Sequence, residues 1–251
     1  MNDTRTPLDL RDSDLIVMTG AGVSAESGIP TFRDGNGLWE QHRVEDVASP
    51  EGFASDPVLV WKFYSLRREA AKQCAPNAGH RAIAAIERRL GDRFLLATQN
   101  VDGLHRVAGS ERVVELHGNL FTSRCDRGCS APFADEQTYF AKSRGELPRC
   151  RCGGAIRPHI VWFGEMLFPE DLQRVEAFFD RAERHGRRLV YLAAGTSGVV
   201  WPAAGMVQRA RAAGGDTVLV NLEAPANVHA FDRVALGKSG EVLPQLLGVE
   251  V

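Results

Sequence analysis

Four of the five cysteines in this 251-residue chain crowd into one window: Cys125-x3-Cys129, a 20-residue gap, then Cys150-x-Cys152; Cys74 stands apart. Four thiolates can close a tetrahedral Zn²⁺ site with no open position, which is structural rather than catalytic metal chemistry. The polar N-terminal stretch MNDTRTPLDLRDSD lacks the apolar run of a signal peptide, so a disulfide framework is the weaker expectation. C-x3-C with C-x-C departs from the commoner C-x2-C pairs. A nucleic-acid zinc ribbon is the rival use of such a cluster, and a formal net charge of -2 argues against it. The second chemical signal is Gly20-Ala21-Gly22-Val23-Ser24-Ala25. It fits G-x-G-x-x-G/A, in which small residues let backbone N–H groups approach a pyrophosphate at a helix N-terminus.

These residues need a scaffold. Near-continuous apolar runs at 15–19 (LIVMT), 94–98 (FLLAT), 189–194 (LVYLAA) and 217–221 (TVLVN) suit strands buried on both faces. Helical patterns fall between them at 79–90, 169–185 and 202–213. The alternation predicts an α/β fold with a Rossmann-like parallel sheet, whose ligands sit beyond the carboxyl ends of the strands. Two segments interrupt it. Residues 35–76 hold no strand signal but carry a helix capped by Asp56, started by Pro57 and running through Cys74. Residues 121–157 hold the cysteines. The expected division is therefore a nucleotide-binding core (1–34, 77–120 and 158–251), a helical insert (35–76) and a zinc-binding module (121–157).

Hydrophobic residues make up 44% of the chain and charged ones 25%, with 30 basic against 32 acidic side chains. That balance permits a sizeable core and implies no attraction to nucleic acid or to an anionic membrane. The apolar runs are too short to span a bilayer, so a cytoplasmic location is expected. Nothing in the sequence sets the oligomeric state, and a monomer is the default.

An ordinary dehydrogenase would follow the glycine loop with a helix, a second strand and an acidic residue for the ribose. Here the helix stops by Gly28-Ile29-Pro30, and Thr31-Phe32-Arg33-Asp34-Gly35 stands where that strand would begin. The whole stretch GAGVSAESGIPTFRDGNGLW, Gly20 to Trp39, resembles the signature of the sirtuin family. Gln99-Asn100-Val101-Asp102, Leu116-His117-Gly118-Asn119 and Gly195-Thr196-Ser197 match further sirtuin motifs in the same order. The resemblance runs from about residue 14 to near Leu247.

The resemblance implies an NAD-dependent protein lysine deacylase that consumes NAD as cosubstrate and carries one structural Zn²⁺ on Cys125, Cys129, Cys150 and Cys152. The amide oxygen of an acylated lysine would attack the nicotinamide ribose and displace nicotinamide. His117 is the implied general base, acting on the ribose hydroxyls; a near-neutral imidazole suits that role. Products would be deacylated lysine, nicotinamide and 2′-O-acyl-ADP-ribose. Asn100 and Asp102, with Gln99 and Val101, would hold the nicotinamide end; read as bare residues, Asn100 and Asp102 are equally good helix caps. Gly20, Ala21, Gly22 and Ala25, with Phe32, Arg33 and Trp39, complete the implied NAD site on one side. Gly195, Thr196 and Ser197 would hold its phosphate and ribose region, Asn221, Leu222 and Glu223 the adenosine ribose, and Ser239 the adenine. Pro158 to Glu165 resembles the sirtuin segment that pairs with the substrate backbone as an added strand, through Val161 and Phe163.

Tyr64 and Arg67, three apart on the expected insert helix, resemble the Y-x-x-R pair of class III sirtuins, which binds the free carboxylate of succinyl- or malonyl-lysine. A guanidinium with a phenol suits a carboxylate in a partly dry pocket; a core tyrosine beside a solvated arginine is the plain alternative. The expected partners are proteins carrying acylated lysines, with succinyl and malonyl preferred and acetyl also accepted. Two other activities fit the same motifs: NAD-dependent ADP-ribosylation of proteins, and NAD sensing without catalysis.

Overall fold

The computed structural model describes residues 6–30, 38–39, 42–196 and 203–251, with backbone alone at 38–39 and 203–204. Its strands are β1 (Ser13–Thr19), β2 (Leu38–Trp39), β3 (His42–Arg43), β4 (Phe94–Thr98), β5 (Val113–Glu115), β6 (Gly118–Cys125), β7 (Phe133–Ala134), β8 (Ile156–Ile160), β9 (Arg188–Ala194), β10 (Asp216–Asn221) and β11 (Arg233–Leu236). The helices are α1 (Val44–Val47), α2 (Pro50–Ser55), α3 (Pro57–Lys72), α4 (Ala78–Leu90), α5 (Leu104–Val107), α6 (Pro169–His185), α7 (Ala203–Ala212) and α8 (Ser239–Leu247).

Six strands form one parallel sheet in the order β11-β10-β9-β1-β4-β5. The apolar runs become its inner strands because both faces are covered. Leu15 and Val17 of β1 face a cluster with Ile83 and Ile86 of α4 and Val242 and Leu246 of α8. Ile16 and Met18 face Val175 and Phe179 of α6 and Val207 and Ala210 of α7. The chain builds outward from β1 through β4 to β5, then crosses back to β9 and continues to β11. The order therefore reverses between β1 and β9, the position where doubly wound sheets open a ligand crevice. Thr19 is level with Thr98 and with Ala194, so three of the sequence motifs leave the sheet at one edge.

A small lobe covers that edge. β6, β7 and β8 form an antiparallel sheet of their own. α3 starts as the sequence dictates: Asp56 accepts from the N–H groups of Val58 (3.1 Å) and Leu59 (3.0 Å), with Pro57 in the first turn. It ends at Lys72 rather than at Cys74. The insert is also not free of strand, since β2 and β3 pair through two residues each, too short for a period-two pattern. The two inserts, moreover, share one core: Val47, Phe53, Val60, Trp61 and Tyr64 pack with Leu120, Cys125, Ile156, Ile160 and Trp162.

Candidate active site

The loop after β1 departs from the expected helix start. Ala21–Val23 and Ala25–Ser27 are single 3₁₀ turns, ended by Gly28 at φ +89°. Its glycines serve close approach of backbones. A Cβ on Gly20 would sit 2.9 Å from the Gly195 oxygen, and one on Gly22 2.8 Å from Gly195 Cα. Gly195 itself holds φ +61°, where a side chain would run into the Val23 nitrogen. The N–H of Gly22 donates to the Gly195 carbonyl at 2.8 Å. The loops after β1 and β9 are thus locked together across the crevice.

Beyond β4, a buried polar network fixes the next motif. The His80 Nδ1 accepts from the Asn77 N–H (3.3 Å) as part of the cap of α4, so its Nε2 carries the proton and donates to Ser24 Oγ at 3.3 Å. Asn100 Nδ2 donates to the same oxygen at 3.1 Å, and Ser24 donates onward to Asp102 Oδ2 at 2.7 Å. The Asn100 N–H donates to Thr98 Oγ1 (3.0 Å), which is bonded to Thr19 Oγ1 and through it to His105 Nε2 (2.9 Å). Burial pushes His80 down to about 4, with the nearby Arg81 charge adding to it, and lowers His105 as well; both are neutral donors and acceptors near pH 7. Burial raises the Asp102 carboxyl, opposed by the Leu104 N–H, Ser24 and the charge of Arg67. Asp102 also accepts from the N–H of Leu104, the first residue of α5, at 2.8 Å, while the cap position itself is Gly103. Ser24, His80, His105, Thr19 and Thr98 carried no role in the sequence reading. A histidine within the first turn of a helix beginning at Ala78 was the one available signal.

His117 follows β5 and is half-buried. Its Nδ1 lies 3.0 Å from the Gln99 carbonyl oxygen. A carbonyl only accepts, so Nδ1 is the protonated nitrogen and Nε2 keeps its lone pair. Burial lowers the His117 pKa from the ordinary 6.5, opposed by that hydrogen bond; the ring is therefore unprotonated near neutrality. Thr196 Oγ1 donates to Gln99 Oε1 at 3.1 Å, and Asn221 Nδ2 donates to the Thr196 carbonyl at 3.2 Å, which ties the motifs after β4, β9 and β10 into one row. Gln99 Nε2 is buried and has no hydrogen-bond partner among the described residues, a donor left for a polar ligand such as a dinucleotide. Ser239 opens α8 and is buried, whereas Leu222 and Glu223 are exposed. Phe32, Arg33, Ser197 and the Trp39 side chain lie outside the described residues.

In the small lobe, the Sγ atoms of Cys125, Cys129, Cys150 and Cys152 all lie within 4.8 Å of one another. Cys125 and Cys152 are 3.5 Å apart, Cys129 and Cys150 3.2 Å. Tetrahedral Zn²⁺ with Zn–S bonds of about 2.3 Å sets ligand sulfurs roughly 3.8 Å apart. The donors fit, despite the unusual spacing. Tyr64 is fully buried and accepts from Trp162 Nε1 at 2.9 Å; the Arg67 guanidinium carbon lies 5.8 Å from its ring centroid. The N–H groups of Val161, Trp162 and Phe163 are engaged by the His117 carbonyl, Glu165 Oε2 and the Ala48 carbonyl, while the Phe163 side chain is exposed.

A crevice at the switch point of a parallel sheet, roofed by a lobe with a four-thiol metal site, defines a zinc-bearing dinucleotide-binding α/β protein. The sequence model of the Sir2 family matches residues 20–202, and the chain belongs to that family. NAD-dependent protein deacylases of Thermococcus kodakarensis and Salmonella typhimurium are 45% and 41% identical to it, over 92% and 98% of this chain and 89% and 86% of theirs. Among solved structures, a Sir2 homolog–NAD complex matches at 43% identity and a TM-score of 0.80, covering 93% of this chain and 88% of that one. Sir2 bound to acetylated peptide matches at 30% identity and a TM-score of 0.74, covering 92% and 90%. Among the described residues no helix is long and apolar enough to cross a membrane.

Proposed function

We propose that this Sir2-family protein is an NAD-dependent protein lysine deacylase in which His117 is the general base. One observation carries the residue assignment: the Gln99 carbonyl fixes Nδ1 as the donor, leaving a basic Nε2 at the sheet edge, near neutrality. When bound, NAD supplies the ribose carbon that nicotinamide leaves and the hydroxyl that carries away the acyl group. Nε2 takes the proton of that hydroxyl. Asn100 and Asp102, held from below by Ser24, orient the nicotinamide end. The row Gln99–Thr196–Asn221, with Gly20, Ala21, Gly22, Ala25, Gly195 and Ser239, takes the remainder. Cys125, Cys129, Cys150 and Cys152 hold the small lobe's shape through zinc and touch no reacting atom.

The substrates are acylated lysines on proteins, and Tyr64 with Arg67 prefers acyl groups ending in a carboxylate. Support for this preference is the placement of a protonated phenol and a half-buried guanidinium on one side of α3, the latter close enough to oppose the burial that raises the Asp102 carboxyl. The division into a core of 1–34, 77–120 and 158–251 with inserts 35–76 and 121–157 belongs to the same reading, with the inserts joined through their common core. Counting nicotinamide released per lysine deacylated tests the proposal. One for one is expected; deacylation at full rate without NAD would refute it.

A further inference from the structure

An indole N–H donates a hydrogen bond and accepts none. Trp162 Nε1 stands 2.9 Å from the Tyr64 hydroxyl oxygen, so that oxygen receives the indole proton on a lone pair. The hydroxyl's own proton must then point elsewhere. Tyr64 is 0% exposed and Trp162 2%, and no acceptor for the Tyr64 proton occurs among the described residues. A buried donor left without an acceptor is costly. It marks a place where a ligand acceptor belongs. Burial keeps the phenol protonated, its pKa pushed up to about 12.

The indole cannot turn away from this task. Its backbone N–H donates to Glu165 Oε2 at 2.9 Å. The Arg157 guanidinium carbon sits 3.3 Å from a Trp162 ring centroid, and Arg157 is paired to Glu165 at 2.6 Å. The Phe53 ring also packs against the indole, with centroids 5.3 Å apart and the planes tilted by 45°. Rotating the indole would break up the contacts of a buried ion pair. The direction of the Tyr64 hydroxyl is therefore set from behind, while the Arg67 charge stands 5.8 Å from the Tyr64 ring centroid. A proton and a positive charge on neighbouring groups select an acceptor that is also an anion.

We infer that Trp162 is a positioning residue for acyl selection: its N–H commits the Tyr64 hydroxyl to donating, which matches it to the terminal carboxylate of an acyl chain. This rests on the carboxylate reading of Tyr64 and Arg67. Without the indole donor the hydroxyl is free to turn its proton inward, and its donor role is shared with other orientations.

The test replaces Trp162 by β-(3-benzothienyl)alanine, which keeps the two-ring shape and removes only the N–H; Trp162→Phe is the simpler companion. kcat and KM are measured on succinyl-lysine and acetyl-lysine versions of one peptide, with zinc content and melting temperature as checks on the fold. The succinyl-to-acetyl ratio of kcat/KM should fall about three- to tenfold, the scale of one neutral hydrogen bond, chiefly through KM. In a Tyr64→Phe background the same replacement should change the ratio no further. A ratio unchanged by the benzothienyl variant, or a further fall in the Tyr64→Phe background, overturns the inference. Arg67→Met separates the two levels. If it lowers the ratio and the Trp162 variant does not, the role of Trp162 alone is wrong; if neither lowers it, the carboxylate reading has failed beneath it.

Discussion

The two lobes are held together by different means. The six-stranded sheet is closed on both faces by contiguous apolar clusters, and its main polar network is confined to the C-terminal edge around Ser24, Asn100 and Asp102. The small lobe has an apolar centre too, but buried ions cross it. Arg68, with no exposed surface, bonds the Leu120 carbonyl at 2.5 Å, Ser123 at 3.1 Å and Asp135 at 3.3 Å. Arg157 is similarly buried against Glu165, and four thiols stand ready for a metal. Few long elements are available there, so ion pairs and a metal cross-link replace sheet packing. Breaking one such buried pair leaves an uncompensated charge and costs about 3–5 kcal/mol. The division carries over to function. On the proposed function, chemistry common to every acyl group belongs to the sheet edge, and the choice among acyl groups to the lobe.

The comparison breaks most visibly at His117. His117→Ala should lower turnover by about 10²–10⁴-fold on succinyl and acetyl peptides alike, the usual loss for a positioned base, with zinc retained. In the unaltered protein the acid limb of kcat/KM should lie below the ordinary histidine value of 6.5, because burial lowers this imidazole. Steady-state kinetics on both peptides across pH checks both statements; a selective loss on one peptide would put His117 in the wrong lobe's business.

The zinc site should act on stability in the opposite pattern. Structural zinc contributes about 10 kcal/mol or more to folding in small peptides, and each kcal/mol is worth roughly 2–4 °C at this chain length. Losing a third of that should lower the melting temperature of Cys125→Ala, Cys150→Ala by about 10 °C. Elemental analysis should find one zinc per chain before the change and none after. Zinc retained by the double variant would mean that other ligands hold it.

Arg67→Met sharpens the distinction within the lobe. A charge-assisted hydrogen bond is worth about 1.5–3 kcal/mol, so desuccinylation should fall roughly ten- to a hundredfold in kcat/KM, with a far smaller loss on acetyl-lysine. Tyr64→Phe should shift the ratio the same way but less. Equal losses on both peptides would make α3 an ordinary packing helix.

A pH-dependent effect belongs to the sheet edge. His80 has its pKa lowered from 6.5 to about 4 in the folded chain. Above 6.5 neither state binds its proton and this group adds no pH dependence. As pH falls below 6.5 the unfolded chain protonates first, so stability falls by up to about 1.4 kcal/mol per pH unit until the folded chain protonates near 4. Urea unfolding between pH 7 and 4 should show a shallower slope in His80→Asn than in the parent chain. Identical slopes would contradict it.

How much of this was legible in the sequence depends on how far apart the partners lie. The four inner strands were legible because burial on both faces makes each an uninterrupted apolar run, and Asp56-Pro57 announces the start of α3 locally. The cysteine cluster was legible from spacing and composition alone. The shared core of the two inserts was not, since α3 and β8 meet across many residues of intervening chain. β2 and β3 have too few residues to show alternation. The 3₁₀ turns after β1 follow from backbone packing against Gly195, which the local G-x-G-x-x-A pattern does not encode. The side-chain partners of Ser24 lie 56, 76 and 78 residues away, and Trp162 lies 98 residues from Tyr64. Directional hydrogen bonds of that kind need coordinates.

The fate of the acyl group tests the account most directly. A succinyl-lysine peptide incubated with the protein and NAD should yield, by mass spectrometry, free lysine peptide and an ADP-ribose bearing the succinyl mass, with no product when NAD is left out. Free succinate formed without NAD, or ADP-ribose attached to a protein acceptor with the succinyl-lysine intact, would contradict it.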